Sequence, residues 1–280
     1  MAIHLADRYE KKVAERFSLG SLTDKYCGHD YEFNGVKGIK IYSVDTVPMT
    51  DYTRSGTSRF GSLEELGDTV QELSLGKDRA FTYSIDKGNA SEQYNVKQAN
   101  STLKREIDEV VTPEIDTYRL TQWAAGHGLS AGFSVLSKVD GALDKDTIVE
   151  AIFTANATMS DNKVPMNNRV LFIPEMTYVK FRLADVVMGA DGIAAENIRR
   201  RYKGTIDGVD VVTVPGSMFP TGMNFILKHK NATVDAMKLK TYNIHKDPVG
   251  VDGDVVEGRI IYDSFVLDSK CKGVYVSKIS

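Results

Sequence analysis

Cysteine is nearly absent from this 280-residue chain: Cys27 and Cys271 are the whole supply. Two thiols are too few for a disulfide framework, and a chain so poor in them reads as an intracellular product. No apolar run approaches the ~20 residues that a helix needs to cross a bilayer. The opening MAIHLADRYEKK has no signal-peptide core. Excess positive charge is missing too. With 35 Lys and Arg against 38 Asp and Glu, the net charge of −3 argues against a protein whose main task is gripping nucleic acid. The sequence also lacks a Walker loop, a dinucleotide fingerprint and a His-Glu-x-x-His pair. What remains is ordinary for a soluble folded protein: 42% hydrophobic and 26% charged residues. A chain of this length can bury a substantial core, near the size at which one core splits into lobes.

The few motifs with chemical meaning fail on context. Gly128-Leu129-Ser130-Ala131-Gly132 fits Gly-x-Ser-x-Gly, but a nucleophile elbow needs a strand before the serine and a helix after it. Here a helical segment precedes and the strand-like stretch 133–139 follows, so a Gly-rich turn is the better account. Cys27-Gly28-His29 has no second ligand pair to complete a zinc site. Asp247, Asp252 and Asp254 lack calcium-loop spacing and read as a solvated hairpin tip. The sequons at Asn89, Asn100, Asn156 and Asn231 have no secretory context. Arg199, Arg200, Arg201 and Lys203 form the one dense basic cluster. A solvated helix end is its default, and contact with DNA or an acidic partner is its functional alternative.

The most informative stretch is 81–120. Phe81, Tyr83 and Ile85 alternate with polar residues, which predicts a half-buried strand. Asn89 and Glu92 carry capping-box spacing, and Val96, Ala99, Leu103, Ile107, Val110 and Val111 then recur on one helical face. Pro113 predicts a kink or a restart with Thr112 as the cap. A second helix is expected over 143–159, burying Ile148, Ile152, Ala155 and Met159 with Phe153 beside them. A buried strand at 169–173 and a helix opened by Pro174 should follow. Upstream, 36–47 and 69–85 are strand-like and flank the polar connection 48–67. A link of ~20 residues is far longer than a hairpin turn, and such loops are usually functional or disordered.

The order of strand, "IDKGN", amphipathic helix and "VVTPEIDTYR" resembles the major capsid proteins of tailed bacteriophages, and the likeness in order covers nearly the whole chain. The resemblance implies an α+β fold with an N-terminal arm (1–30), an extended β-hairpin loop (31–88), a long spine helix and peripheral domain (89–185), an axial domain (186–236) and a return to the peripheral domain (237–280). Strands at 208–215 and 224–227 would belong to the axial domain. Those at 238–245, 257–267 and 273–276 would return to the peripheral sheet. In that family the Pro-Glu-Ile-Asp-like segment ends the spine.

By the same resemblance the protein is structural and uses no cofactor, metal or catalytic residue. It would form the pentamers and hexamers of an icosahedral shell around phage double-stranded DNA, held without sequence specificity. Portal and scaffolding proteins would be its other partners, with no membrane involved. It would be assembled in a bacterial host cytoplasm and reside in the virion. Tyr9 and Phe17 in the arm, with Tyr52, Arg54, Arg59, Phe60 and Glu64 in the loop, are the expected inter-subunit contacts. Residues 48–67 hold no lysine, so lysine-based cross-linking from this loop is not expected. An encapsulin-type compartment shares the fold and is the alternative. A cytoplasmic serine hydrolase using Ser130 is a third reading.

Overall fold

The computed structural model describes residues 20–28, 38–63, 65–88, 98–184 and 205–280. Strands β1 (Gly38–Val44) and β2 (Asp68–Ser74) form an antiparallel hairpin, in register from Gly38 opposite Ser74 to Val44 opposite Asp68. The strand-like stretch 69–85 is therefore two strands, because the chain breaks at Leu75-Gly76 and enters β3 (Lys77–Asp86) in a different sheet. Phe81, Tyr83 and Ile85 face inward as their alternation predicts.

The long helix comprises α1 (Ala99–Glu106), a π turn at Ile107–Val111 and α2 (Thr112–Ala125). Together these 27 residues reach about 40 Å. Pro113 neither stops nor caps it. Thr112 is helical (φ −62, ψ −49), and its N–H reaches back to Ile107 O. Proline cannot donate to the carbonyl four residues back and crowds it, and widening into a π turn relieves that strain. The wider turn leaves Val110 half exposed, against expectation. The Pro-Glu-Ile-Asp segment also does not end the spine, since the helix runs on to Ala125 and closes on Gly126 in the left-handed conformation. The capping pair Asn89 and Glu92, and Val96, lie outside the described residues.

Two sheets divide the rest. The smaller has the order β3-β10-β9, with β9 at Thr233–Lys246 and β10 at Gly253–Val266, all antiparallel. Leu103 and Ala99 of α1 pack on its Ile85–Val256 face. The larger has the order β4-β11-β8-β5-β7-β6. Its strands are β4 (Leu136–Val139), β5 (Arg169–Pro174), β6 (Thr205–Ile206), β7 (Val209–Val214), β8 (Met223–His229) and β11 (Val274–Lys278).

The larger sheet is covered on both faces, which is why β5 reads as an unbroken apolar run. Val170 and Phe172 meet Leu120 and Trp123 of α2 on one side. Leu171 and Ile173 meet α3 (Ile148–Asp161) and α4 (Glu175–Arg182) on the other. This sheet corrects two expectations. The 273–276 strand joins β8 and β4 instead of returning to the sheet of β9 and β10, and the 169–173 strand shares a sheet with 209–214 and 223–229. Pairing partners are set by distant segments, which no local pattern encodes. The helix expected from 143 begins at Ile148, and Phe153 points outward, 44% exposed.

Candidate interaction surface

The β1–β2 hairpin is rooted in buried contacts and ends in an exposed loop. At the root, Gln71, Leu73 and Leu75 alternate inward. Leu73 and Leu75 pack with Val234, Ala236, Phe265 and Leu267. Gln71 is buried and uses its whole amide: Nε2 donates to Gly128 O (2.8 Å) and Val266 O (2.9 Å), and Oε1 accepts from Asp268 N–H (3.0 Å). The turn it grips requires Gly128, whose φ is +86° and whose added Cβ would lie 2.9 Å from Phe265.

Asp263 clasps the crossing into β3. Its carboxylate accepts from Gly76 N–H (2.8 Å), Ser264 N–H (2.8 Å) and Tyr118 Oη (2.9 Å), with His127 Nε2 at 3.5 Å. Burial alone would raise this carboxyl. The donors from His127, Gly76, Ser264 and Tyr118 outweigh burial and hold it below the ordinary aspartate value.

Beyond Val44 the loop closes on itself. Asp45 N–H donates to Gly67 O (3.0 Å), Thr53 N–H to Arg59 O (3.0 Å), Thr50 Oγ1 to Phe60 O (3.1 Å) and Arg59 Nε to Gly56 O (3.1 Å). Tyr52 and Phe60 meet edge to face at 5.0 Å. Its apolar side chains nevertheless face water: Val47, Met49, Tyr52, Phe60, Leu63 and Leu66 are all exposed, Met49 and Leu63 completely. Apolar surface gathered in one exposed segment makes this loop the candidate interaction surface.

Of the expected contacts, Tyr52, Arg54, Arg59 and Phe60 share this loop, with Tyr52 and Phe60 touching. Tyr9, Phe17, Glu64, Arg199, Arg200, Arg201 and Lys203 lie outside the described residues. Sequence reasoning did not single out Met49 or Leu63, the most exposed apolar side chains here.

It also missed the strap at 20–28. Asp116 of α2 is buried and accepts from Ser21 Oγ (2.9 Å), Leu22 N–H (2.7 Å) and Thr23 Oγ1 (2.5 Å). Arg119 donates to Thr23 Oγ1 (3.0 Å) and pairs with Asp24 (3.3 Å) and the buried Asp235 (2.8 Å). Lys228, fully buried 3.5 Å above the Trp123 ring, is pushed down to about 8 by desolvation. Cys27 is buried, its thiol donating to Thr23 O and raised by desolvation. The one available signal was Asp116 and Arg119, three residues apart on a helical face that also carries Leu120 and Trp123.

The remaining motifs that the structure describes sit in turns and at a hairpin tip. Ser130 sits in a turn after a helix and before a strand, the reverse of a nucleophile elbow, and its N–H donates to Asp268 Oδ1 (2.9 Å). Asp247 and Asp252 flank the β9–β10 tip, where both pair with Lys87. Both cysteines are free, and among the described residues no group of three or more His, Cys, Asp or Glu could hold a metal. Among them, no helix is long and apolar enough to cross a membrane.

No family model and no curated relative matches the chain by sequence. Solved structures do match. One from Mycobacterium phage Che8 superposes with a TM-score of 0.79 at 15% identity, covering 98% of this chain and 97% of that one. The mature capsid of bacteriophage PhiM1 gives 0.75 at 12% identity, covering 99% and 92%. The capsid of cyanophage P-SCSP1u gives 0.72 at 14%, covering 98% and 93%. At such identities the agreement concerns the path of the backbone, and nearly the whole chain shares it: this protein has the fold of a phage capsid subunit.

Proposed function

We propose that this protein is a major capsid protein that self-assembles into the icosahedral head shell enclosing phage double-stranded DNA. The observation that carries the proposal is the agreement of fold with two capsid structures over at least 98% of the chain. The hairpin supplies a means. Its root is fixed by buried contacts, so the exposed apolar loop is held out as a rigid projection for a neighbouring copy. Each contact is small, and closed symmetry makes many of them cooperative. Pentamers and hexamers of the chain would tile the shell, with portal and scaffolding proteins as transient or local partners. The virion is the place where such a shell resides, and the role is structural.

Electron microscopy of the purified protein tests this directly. Closed icosahedral particles containing nucleic acid are expected. Monomers at every concentration would overturn the proposal, and shells filled with protein cargo would favour an encapsulin-type compartment. Deleting residues 53–67 should leave a folded subunit that forms no stable shell.

A further inference from the structure

We propose that Lys228 and Cys27 are a compensating proton pair beneath the strap, a device that keeps strap docking constant as the medium turns alkaline. It operates within one subunit, whether or not subunits join into a shell.

The pair is enclosed by positive contacts. Cys27 of the strap belongs to the core around Trp123, and Lys228 of β8 lies fully buried over the Trp123 ring at 3.5 Å. Thr233 ties the two together. Its carbonyl accepts from Gly28 N–H (3.2 Å), next to Cys27, and its hydroxyl accepts from Lys228 Nζ. Asp235 N–H returns a bond to Gly28 O (3.2 Å). A Cβ added at Gly28 would lie 2.7 Å from Thr233 O, so the backbone of the strap is pressed against β9 at this point.

The surroundings favour the neutral form of both groups. The ammonium meets a hydroxyl and an aromatic face, and the buried carboxylates nearby are engaged elsewhere. Asp235 takes Arg119 (2.8 Å) and Ser264 (2.6 Å), and Asp116 takes the strap's Ser21, Leu22 and Thr23. The Cys27 thiol donates to Thr23 O (3.1 Å). Besides each other, the charged groups facing the pair are Asp235 on β9, Arg119 on α2 and, for Lys228, Lys230 just after β8. Asp24 and Asp116 lie beyond, facing Arg119. Desolvation outweighs all of these, pushing the ammonium down to about 8 and the thiol up.

Opening the strap returns both groups to water, where lysine titrates near about 10.4 and cysteine near about 8.5. Between those values the open chain holds a proton on Lys228 that the docked chain has shed. It also lacks one on Cys27 that the docked chain keeps. Opening therefore amounts to moving a proton from thiol to amine, with none exchanged with the medium, and such a step carries no pH dependence. Alone, each group would change the opening equilibrium about tenfold per pH unit. As pH rises, Lys228 would drive it toward docking and Cys27 toward opening.

Alkylation of Cys27 tests the pairing. The folded full-length chain is treated with iodoacetamide from pH 7 to pH 10, at concentrations where the rate stays proportional to reagent. Labelling at Cys27 is located by peptide mass, and only the open thiolate reacts. In the unmodified chain the rate should climb steeply up to about pH 8, then stay within about twofold from pH 8.5 to pH 10. In Lys228→Met it should keep climbing, by about tenfold between pH 9 and pH 10. Equal slopes for the two proteins over that interval would overturn the pairing. Cys27→Ala gives the mirror test should Lys228→Met fail to fold. Between pH 8.5 and pH 10 its unfolding constant in urea should fall about tenfold relative to the unmodified chain. A ratio that stays constant would also overturn the pairing.

Discussion

The tripeptide Gly-Ser-Leu occurs at Gly20-Ser21-Leu22 and again at Gly61-Ser62-Leu63, each within a polar, Gly-, Thr- and Asp-containing segment. The first copy is tied down: the half-buried Leu22 packs on the main core, and Ser21, itself exposed, donates to a buried carboxylate. The second stands outside, with Leu63 fully exposed. Local composition is almost the same, and the difference lies in what waits opposite. Asp116 and Arg119 give the strap a charged socket, whereas the apolar side chains of the loop stand exposed. Strap residues should therefore govern folding, and loop residues should govern association.

Four measurements press on that contrast. Arg119→Met leaves Asp116 and Asp235 buried without their cation, so unfolding in urea should show a loss of about 3–5 kcal/mol. A loss below 1 kcal/mol would mean that the strap is as loosely held as the loop. At the hairpin root, Leu73→Ala should cost about 2–4 kcal/mol by the same assay, since Leu73 is buried among Phe265, Leu267 and Val234.

The third measurement is pH. The carboxyl of Asp263 is lowered in the folded state. Its contribution to stability is thus fully present above the unfolded aspartate value, about 3.9, and disappears as pH falls through the lower folded value. Urea midpoints should hold steady from neutral pH to about 5 as far as this group is concerned and decline below about 4. Asp263→Asn should start lower and lose part of that decline; an unchanged acid profile would remove Asp263 as the clasp. The smallest effect belongs to the loop. Leu63→Asp should shift folding stability by no more than about 0.5 kcal/mol, while shell yield falls sharply. A large loss of folding stability would show that the loop packs on its own subunit.

How much of this was legible follows from how each feature is encoded. The inward alternation of Phe81, Tyr83 and Ile85, the apolar run of β5 and the buried face Ile148, Ile152, Ala155 and Met159 are local periodicities, and the structure agrees with them. The β1–β2 pairing was implied by two strand-like runs around a polar link. Sheet membership was not legible, because β11 finds β4 and β8 across more than forty residues of intervening chain. Nor was the strap, whose burial depends on two charges nearly a hundred residues away. In the loop, Tyr52, Arg54, Arg59 and Phe60 were expected as neighbour contacts from the family resemblance, and length and polarity marked only the loop itself. The exposure of Met49 and Leu63 required knowing that none of the described residues covers them.

The π turn at 107–111 has a consequence of phase. In an α-helix each residue advances the chain by about 100° around the axis. The surplus residue in the turn therefore sets the angular offset between the half that lies on the small sheet and the half that carries Asp116 and Arg119. Removing a single residue from 107–111 would rotate the second half by roughly 100° relative to the first. The carboxylate would swing away from Ser21 and Thr23, and the guanidinium away from Asp235. The long helix thus works as a shaft with a fixed twist, keyed at one end to a sheet and at the other to the strap. Its tolerance for insertions and deletions near Pro113 should be far narrower than its tolerance for substitutions there.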